Sequence, residues 1–203
     1  MLETTDLACE RGGVRLFAGL GFSLKEGSLL RVRGPNGSGK TSLLRILAGL
    51  TQPAAGAVRW RGRALDEDYR REMVFIGHAA ALSDDLTVLE NLEFVLEISG
   101  LKASRENTKQ SLELFALERV AHMPARFLSQ GQRRRAALAR LAVSRQVPLW
   151  LLDEPFAALD GEAVEQLSAL ATAHLADGGM LVFTSHQEVP IAAPAADTLV
   201  LQG

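Results

Sequence analysis

Residues 28–41 read SLLRVRGPNGSGKT, and this stretch decides how the chain folds. SLLRVR (Ser28–Arg33) reads as a strand, and it runs directly into GPNGSGKT (Gly34–Thr41), which fits the pattern G-x-x-x-x-G-K-[ST]. TSLLRILAGL follows, with Leu43, Leu44, Ile46, Leu47 and Leu50 at helical spacing and Gly49 as a C-terminal stop. A strand, a glycine-rich loop and a helix in that order form the setting in which such a loop binds phosphate. Gly34, Gly37 and Gly39 let the backbone curl so that successive N–H groups and the helix N-terminus face phosphate oxygens. The Lys40 ammonium supplies a point charge for the outer phosphates, and the Thr41 hydroxyl suits Mg²⁺. Pro35, Asn36, Ser38 and Ser42 complete the expected nucleotide contact. A chance glycine turn would match the pattern in roughly one chain in a hundred, and the flanking strand and helix make chance rarer still.

Outward from this loop, β structure is expected around Gly56 and Gly62, and MVFIG (Met73–Gly77) reads as a second core strand. From about Leu82 to Arg145 the chain reads helical. Thr87 with Glu90, and Ser129 with Gln132, have capping-box spacing, and a further helix is expected over Asn107–Leu117. Strand–helix alternation then returns, with PLWLLD, a helix over Gly161–Ala176 and the strand MLVFT. The fold class is therefore α/β, a sheet domain carrying a helical lobe.

The 203 residues suggest one domain, and 47% hydrophobic with 23% charged residues is the balance of a chain with a packed core. A net charge of −2 argues against a bulk electrostatic grip on nucleic acid. Cys9 is the single cysteine, so no internal disulfide forms. No apolar run is long enough to cross a bilayer, and the opening residues lack a signal-peptide pattern, so a cytosolic chain is expected.

A second constellation is VPLWLLDEP, an apolar run ending in Asp153 and Glu154. A buried strand that delivers Asp153 at its tip can hold Mg²⁺, and Glu154 can orient and deprotonate a water. Two acids also end many ordinary core strands. The phosphate loop in the same chain favours the catalytic reading.

LSQGQ (Leu128–Gln132) resembles the LSGGQ signature of ABC ATPases, with Gln130 in place of the first glycine. FAALD resembles the family's D-loop and VFTSH its switch region. The order of these marks covers the chain from about Leu2 to Leu201. The resemblance implies a P-loop core sheet with a small antiparallel β subdomain and a helical lobe. The chain would be a single domain, with its core at about 1–80 and 146–203 and its lobe at about 81–145. ATP and Mg²⁺ are implied as ligands, and two copies of the chain would enclose the ATP. Ser129, Gln130, Gly131 and Gln132 of one copy would then face the γ-phosphate held by the other, Asp160 would lie at the dimer interface, and His186 would reach the γ-phosphate and the attacking water. The implied catalytic set is Glu154, His186 and Lys40, with Thr41 and Asp153 on Mg²⁺.

Two positions depart from the family. Its adenine-stacking aromatic falls at Arg11, which reads either as a guanidinium stacked on the base or as a solvated loop arginine. Its Q-loop glutamine falls at His78, a poor ligand for a hard cation. Contact with a partner, pH sensing and a substitution without special role all stand open for His78. Arg133, Arg134 and Arg135 read as a solvated helix face, with one residue pairing with nearby acids.

The opening CERGGVRLFAGLGFSL, the Gly77–His78 dipeptide followed by LTVLENL, and the small size are similar to one subfamily, the ATP-binding subunits of cytochrome c maturation haem exporters. This implies a peripheral ATPase on the cytoplasmic face of the bacterial inner membrane, working with separate membrane-spanning permease subunits. Haem would be handled by that complex and not bound by this chain. An ABC ATPase for a lipoprotein, drug or peptide cargo is the alternative. A soluble ABC ATPase acting on DNA or ribosomes fits less well, because such proteins carry coiled-coil inserts or two fused ATPase domains.

Overall fold

A computed structural model describes residues 1–101 and 104–202. The chain opens with two long antiparallel strands, β1 (Leu2–Arg11) and β2 (Val14–Leu24), joined through Gly12 and Gly13. Both glycines have positive φ (57° and 78°), as a tight hairpin turn whose twist matches its strands requires. β3 (Ser28–Arg33) leads through the glycine loop into α1 (Lys40–Leu47), whose end is marked by Gly49 at φ 68°. β4 (Ala55–Trp60), β5 (Arg63–Ala64), α2 (Glu67–Arg71) and β6 (Met73–Ile76) follow.

Helices α3 (Val88–Ile98), α4 (Arg105–Leu114) and α5 (Gln130–Val143) then form the lobe. β7 (Leu149–Leu152), α6 (Gly161–Ala176), β8 (Met180–Thr184) and β9 (Ala195–Val200) close the chain. Both capping boxes are present, at Thr87–Glu90 on α3 and Ser129–Gln132 on α5. Two expectations need correction. Residues 82–87 precede the first helix of the lobe, and α4 ends at Leu114 because Phe115 caps it and Ala116 turns to φ 50°.

The strands form two sheets. One is antiparallel in the order β2-β1-β4-β5, and the other is parallel in the order β6-β7-β8-β3-β9. The central strands β7 and β8 of the parallel sheet are buried on both faces, and their period-two alternation divides the core. Leu149 and Leu151 of β7, with Met180 and Val182 of β8, pack with Leu43, Leu44 and Leu47 of α1 and with residues of the antiparallel sheet. Trp150, Leu152, Leu181 and Phe183 face the other way, onto α5 and α6. The tip of β7 is thereby fixed between two cores, and it is there that Asp153 stands. No helix among the described residues is long and apolar enough to cross a membrane.

A buried aromatic stack locks α6 to β7. The His174 ring lies parallel to Trp150, with centroids 3.9 Å apart, and a side chain at Gly179 would collide with it at 2.2 Å. Burial holds the His174 pKa below the usual histidine value, partly opposed by the Arg145 and Met180 carbonyls beside its nitrogens. Folding thus favours the neutral ring, and the unfolded chain binds the extra proton once pH falls below about 6.5. Stability should therefore be lost as pH drops through that value. Urea midpoints measured at pH 5.5 and 7.5 should show a larger loss for the wild type than for His174→Phe, which keeps the stack but cannot titrate.

Candidate active site

The glycine loop is shaped by contacts that only glycine permits. Gly34 has φ 151°, and a Cβ there would sit 2.6 Å from both the Leu201 carbonyl and the Ser38 hydroxyl. Gly39 is the N-cap of α1 at φ 96°, pressed against Leu16 and Phe17 of β2. This cap has no side chain and no acid stands in the helix's own first turn, so no side chain caps the N–H groups at the positive end of α1. The Lys40 ammonium curls over the loop and donates to the Gly34 and Pro35 carbonyls (2.8 and 3.0 Å). A helix N-terminus without a capping side chain and a lysine beside it fit a polyphosphate.

Asp153 is buried at the tip of β7. Thr41 of α1 donates to its Oδ2 (2.8 Å), and Thr184 at the end of β8 donates to its Oδ1 (2.7 Å). The same Thr184 hydroxyl accepts from the Glu154 N–H (2.8 Å). Three elements thus meet on one carboxylate, and the threonine and aspartate oxygens are the hard donors that suit Mg²⁺.

Glu154 itself is held at φ 50°, a strained conformation for a residue with a side chain. Its Oε1 is buried without a hydrogen bond. His186 Nε2 lies 3.3 Å away, at ion-pair distance but out of hydrogen-bond alignment. A buried, unsatisfied carboxylate oxygen beside a phosphate loop has capacity left for a water or a phosphate-bound group.

One cleft of about 630 Å³ gathers most of the residues picked out from sequence: Arg11, Asn36, Gly37, Gly39, Lys40, Thr41, Ser42, His78, Asp153, Glu154 and His186. Gly34, Pro35 and Ser38 shape the loop behind it. Ser129, Gln130, Gly131, Gln132 and Asp160 do not line it. Ser129 and Gln132 instead bond each other's main chain at the start of α5, and Asp160 caps α6. Gly131 packs where a side chain would stand 3.1 Å from the Ala158 carbonyl.

Sequence reasoning missed Leu16 and Ala157 in the cleft, and it missed Thr184, whose place in VFTSH two residues before His186 was the available signal. It also misread the arginine run as a solvated face. Arg133 does pair with an acid, Asp84 at 2.7 Å, but Arg134 is buried. Burial pushes the Arg134 pKa below the usual arginine value, opposed by the charges of Asp153 and Glu154.

Comparisons with known proteins agree with this geometry. Residues 17–157 match the family model described as "ABC transporter". The cytochrome c biogenesis ATP-binding export protein CcmA of Nitrosospira multiformis is 47% identical over 203 residues, 98% of each chain. Its counterpart from Aromatoleum aromaticum is also 47% identical, over 96% of this chain and 92% of that one. Among solved structures, the ATP-binding subunit of an ABC transporter superposes with a TM-score of 0.83 at 26% identity, covering 92% of this chain and 79% of the other. A dimeric post-hydrolysis state of an ATP-binding cassette bound to ADP and Pi gives 0.81 at 29% identity, covering 92% and 88%. The chain belongs to the ATP-binding subunits of the ABC transporter family, and within them to the cytochrome c biogenesis export proteins.

Proposed function

We propose that this chain hydrolyses ATP to drive a haem exporter serving c-type cytochrome assembly, as a single ABC ATPase domain whose lobe spans about 81–145. The observation that carries the hydrolytic reading is the meeting of Thr41, Asp153, Thr184 and Glu154 behind one cleft with the glycine loop. The haem-export reading draws on the names of the relatives and on the Gly77–His78 dipeptide. The chain would sit on the cytoplasmic face of the inner membrane and pull on separate permease subunits.

In this reading ATP lies across the cleft, with its phosphates on the loop from Gly34 to Ser42 and its base toward Arg11. Lys40 leaves the Gly34 and Pro35 carbonyls for the outer phosphates. Mg²⁺ would be held by Thr41 and Asp153 and would neutralise phosphate charge when bound. Glu154 orients a water and takes its proton, and His186, 3.3 Å from the Glu154 carboxylate, helps to position water and γ-phosphate. Ser129 to Gln132 do not line the cleft of their own chain, which supports their service to the ATP of a second copy, with Asp160 at the shared interface. A lipoprotein, drug or peptide exporter would share this site, and recovery of such a permease with the chain from native membranes would redirect the cargo alone.

Glu154→Gln should lower ATP turnover by at least about 100-fold while leaving ATP binding intact, and it should trap an ATP-bound dimer visible by size exclusion. Turnover near the wild-type rate would remove Glu154 from the role of base. Thr184→Val should cost about 3 kcal/mol in chemical denaturation, because it leaves a buried carboxylate oxygen and the Glu154 N–H unpaired. Thr184→Ser should keep most of that stability.

A further inference from the structure

The three arginines after the signature face three ways, since successive residues on a helix are about 100° apart. Arg133 reaches Asp84 and the Ala125 carbonyl, and Arg135 reaches the Phe115 carbonyl. Arg134 turns inward, only 5% exposed. Among the described residues no carboxylate bonds to it, and each of its hydrogen bonds goes to a main-chain carbonyl. Nη1 donates to Gly77 (2.8 Å) and, at greater length, to His78 (3.4 Å). Nη2 donates to Asp153 and Glu154 (both 2.7 Å), and Nε to Pro155 (3.4 Å). The planar fork of arginine, with five donors in a fixed arrangement, can serve all five of these carbonyls from two segments at once. Burying a charge with no counter-ion bonded to it is costly, and a fully satisfied fork is what makes it tolerable.

The two segments are the Q-loop position and the acidic pair, and one residue of that pair, Glu154, is strained. Glu154 is pinned at its N–H by Thr184 and at its carbonyl by Arg134, with φ at 50° between the two anchors. Releasing the carbonyl frees the peptide to relax toward an ordinary conformation and swings the carboxylate away from the cleft. Arg134 also lies only one turn into α5, the helix whose N-terminal residues are proposed to meet the second copy's ATP.

We infer that Arg134 is a positioning residue for ATP hydrolysis, which holds the backbone of Glu154 in its strained conformation and ties it to His78 and to the signature helix. This rests on the reading of Glu154 as the base. Arg134 bonds no residue of the glycine loop, and its bonds to Asp153 and His78 go to main-chain carbonyls and leave their side chains free for the cleft, so it acts on turnover more than on nucleotide affinity.

The test compares Arg134→Lys and Arg134→Gln with Glu154→Gln. Lys keeps a charge without the fork, and Gln keeps two donors without burying a charge, so a fold that rejects one substitution is judged on the other. Turnover is counted per ATP-binding chain, which removes any loss of folded protein. Both variants should lose about 10- to 100-fold in kcat with ATP Kd within about threefold of wild type. Placed in the Glu154→Gln background, neither should prevent ATP-driven dimer trapping. A kcat within twofold of wild type, or a Kd that weakens in step with kcat, would overturn the inference. If Glu154→Gln itself keeps wild-type turnover, the base assignment falls instead, and the two failures are told apart.

Discussion

The Asp153 carboxylate is the point on which the site depends. It is buried, and each of its oxygens accepts a hydrogen bond from a threonine of a different element, Thr41 of α1 and Thr184 of β8. A carboxylate desolvated in this way is tolerated only while it is paired, so the three elements cannot drift apart without stranding it. The phosphate loop, the tip of β7 and the end of β8 are thereby held in one geometry before any ligand arrives. The burial of β7 on both faces makes this possible, because Leu149, Leu151, Trp150 and Leu152 lock it between two cores and present Asp153 at a fixed height.

Strain is concentrated one residue further on. Glu154 and Ala158 both carry positive φ in the short turn between β7 and α6. Such conformations persist only where the surroundings over-determine them, and here the surroundings are the Thr184 hydroxyl, the Arg134 fork and the contact of Gly131 with the Ala158 carbonyl. The turn that carries the proposed base is therefore gripped from the lobe as well as from the sheet.

Those features legible in the sequence were the contiguous ones. The glycine loop has its whole logic within eight residues, and the acidic pair announces itself as the polar end of an apolar run. The capping boxes at Thr87 and Ser129 were readable for the same reason. What escaped depends on distant residues meeting. Thr184 matters only because β8 lies beside β7, and Leu16 only because the hairpin of β1 and β2 folds over the loop. The arginine run was misread because three like charges suggest one face, whereas α5 buries Ala136, Ala137, Leu138, Ala139 and Leu141 and so has little exposed circumference to offer. The edge strand β9 was missed because its residues are largely exposed and show no apolar run.

The central claim is that each copy of the chain holds half of every hydrolytic site, and mixing two defective copies tests it most directly. One copy carries Lys40→Ala, which disables its own phosphate loop, and the other carries Ser129→Arg, which disables the signature it offers to its partner. Each alone should be inactive. A mixed dimer should contain one site with both defects and one site with none, so ATPase activity should reappear on mixing, up to about half of the wild-type level per dimer. A mixture as inactive as its two components would contradict a site shared between copies.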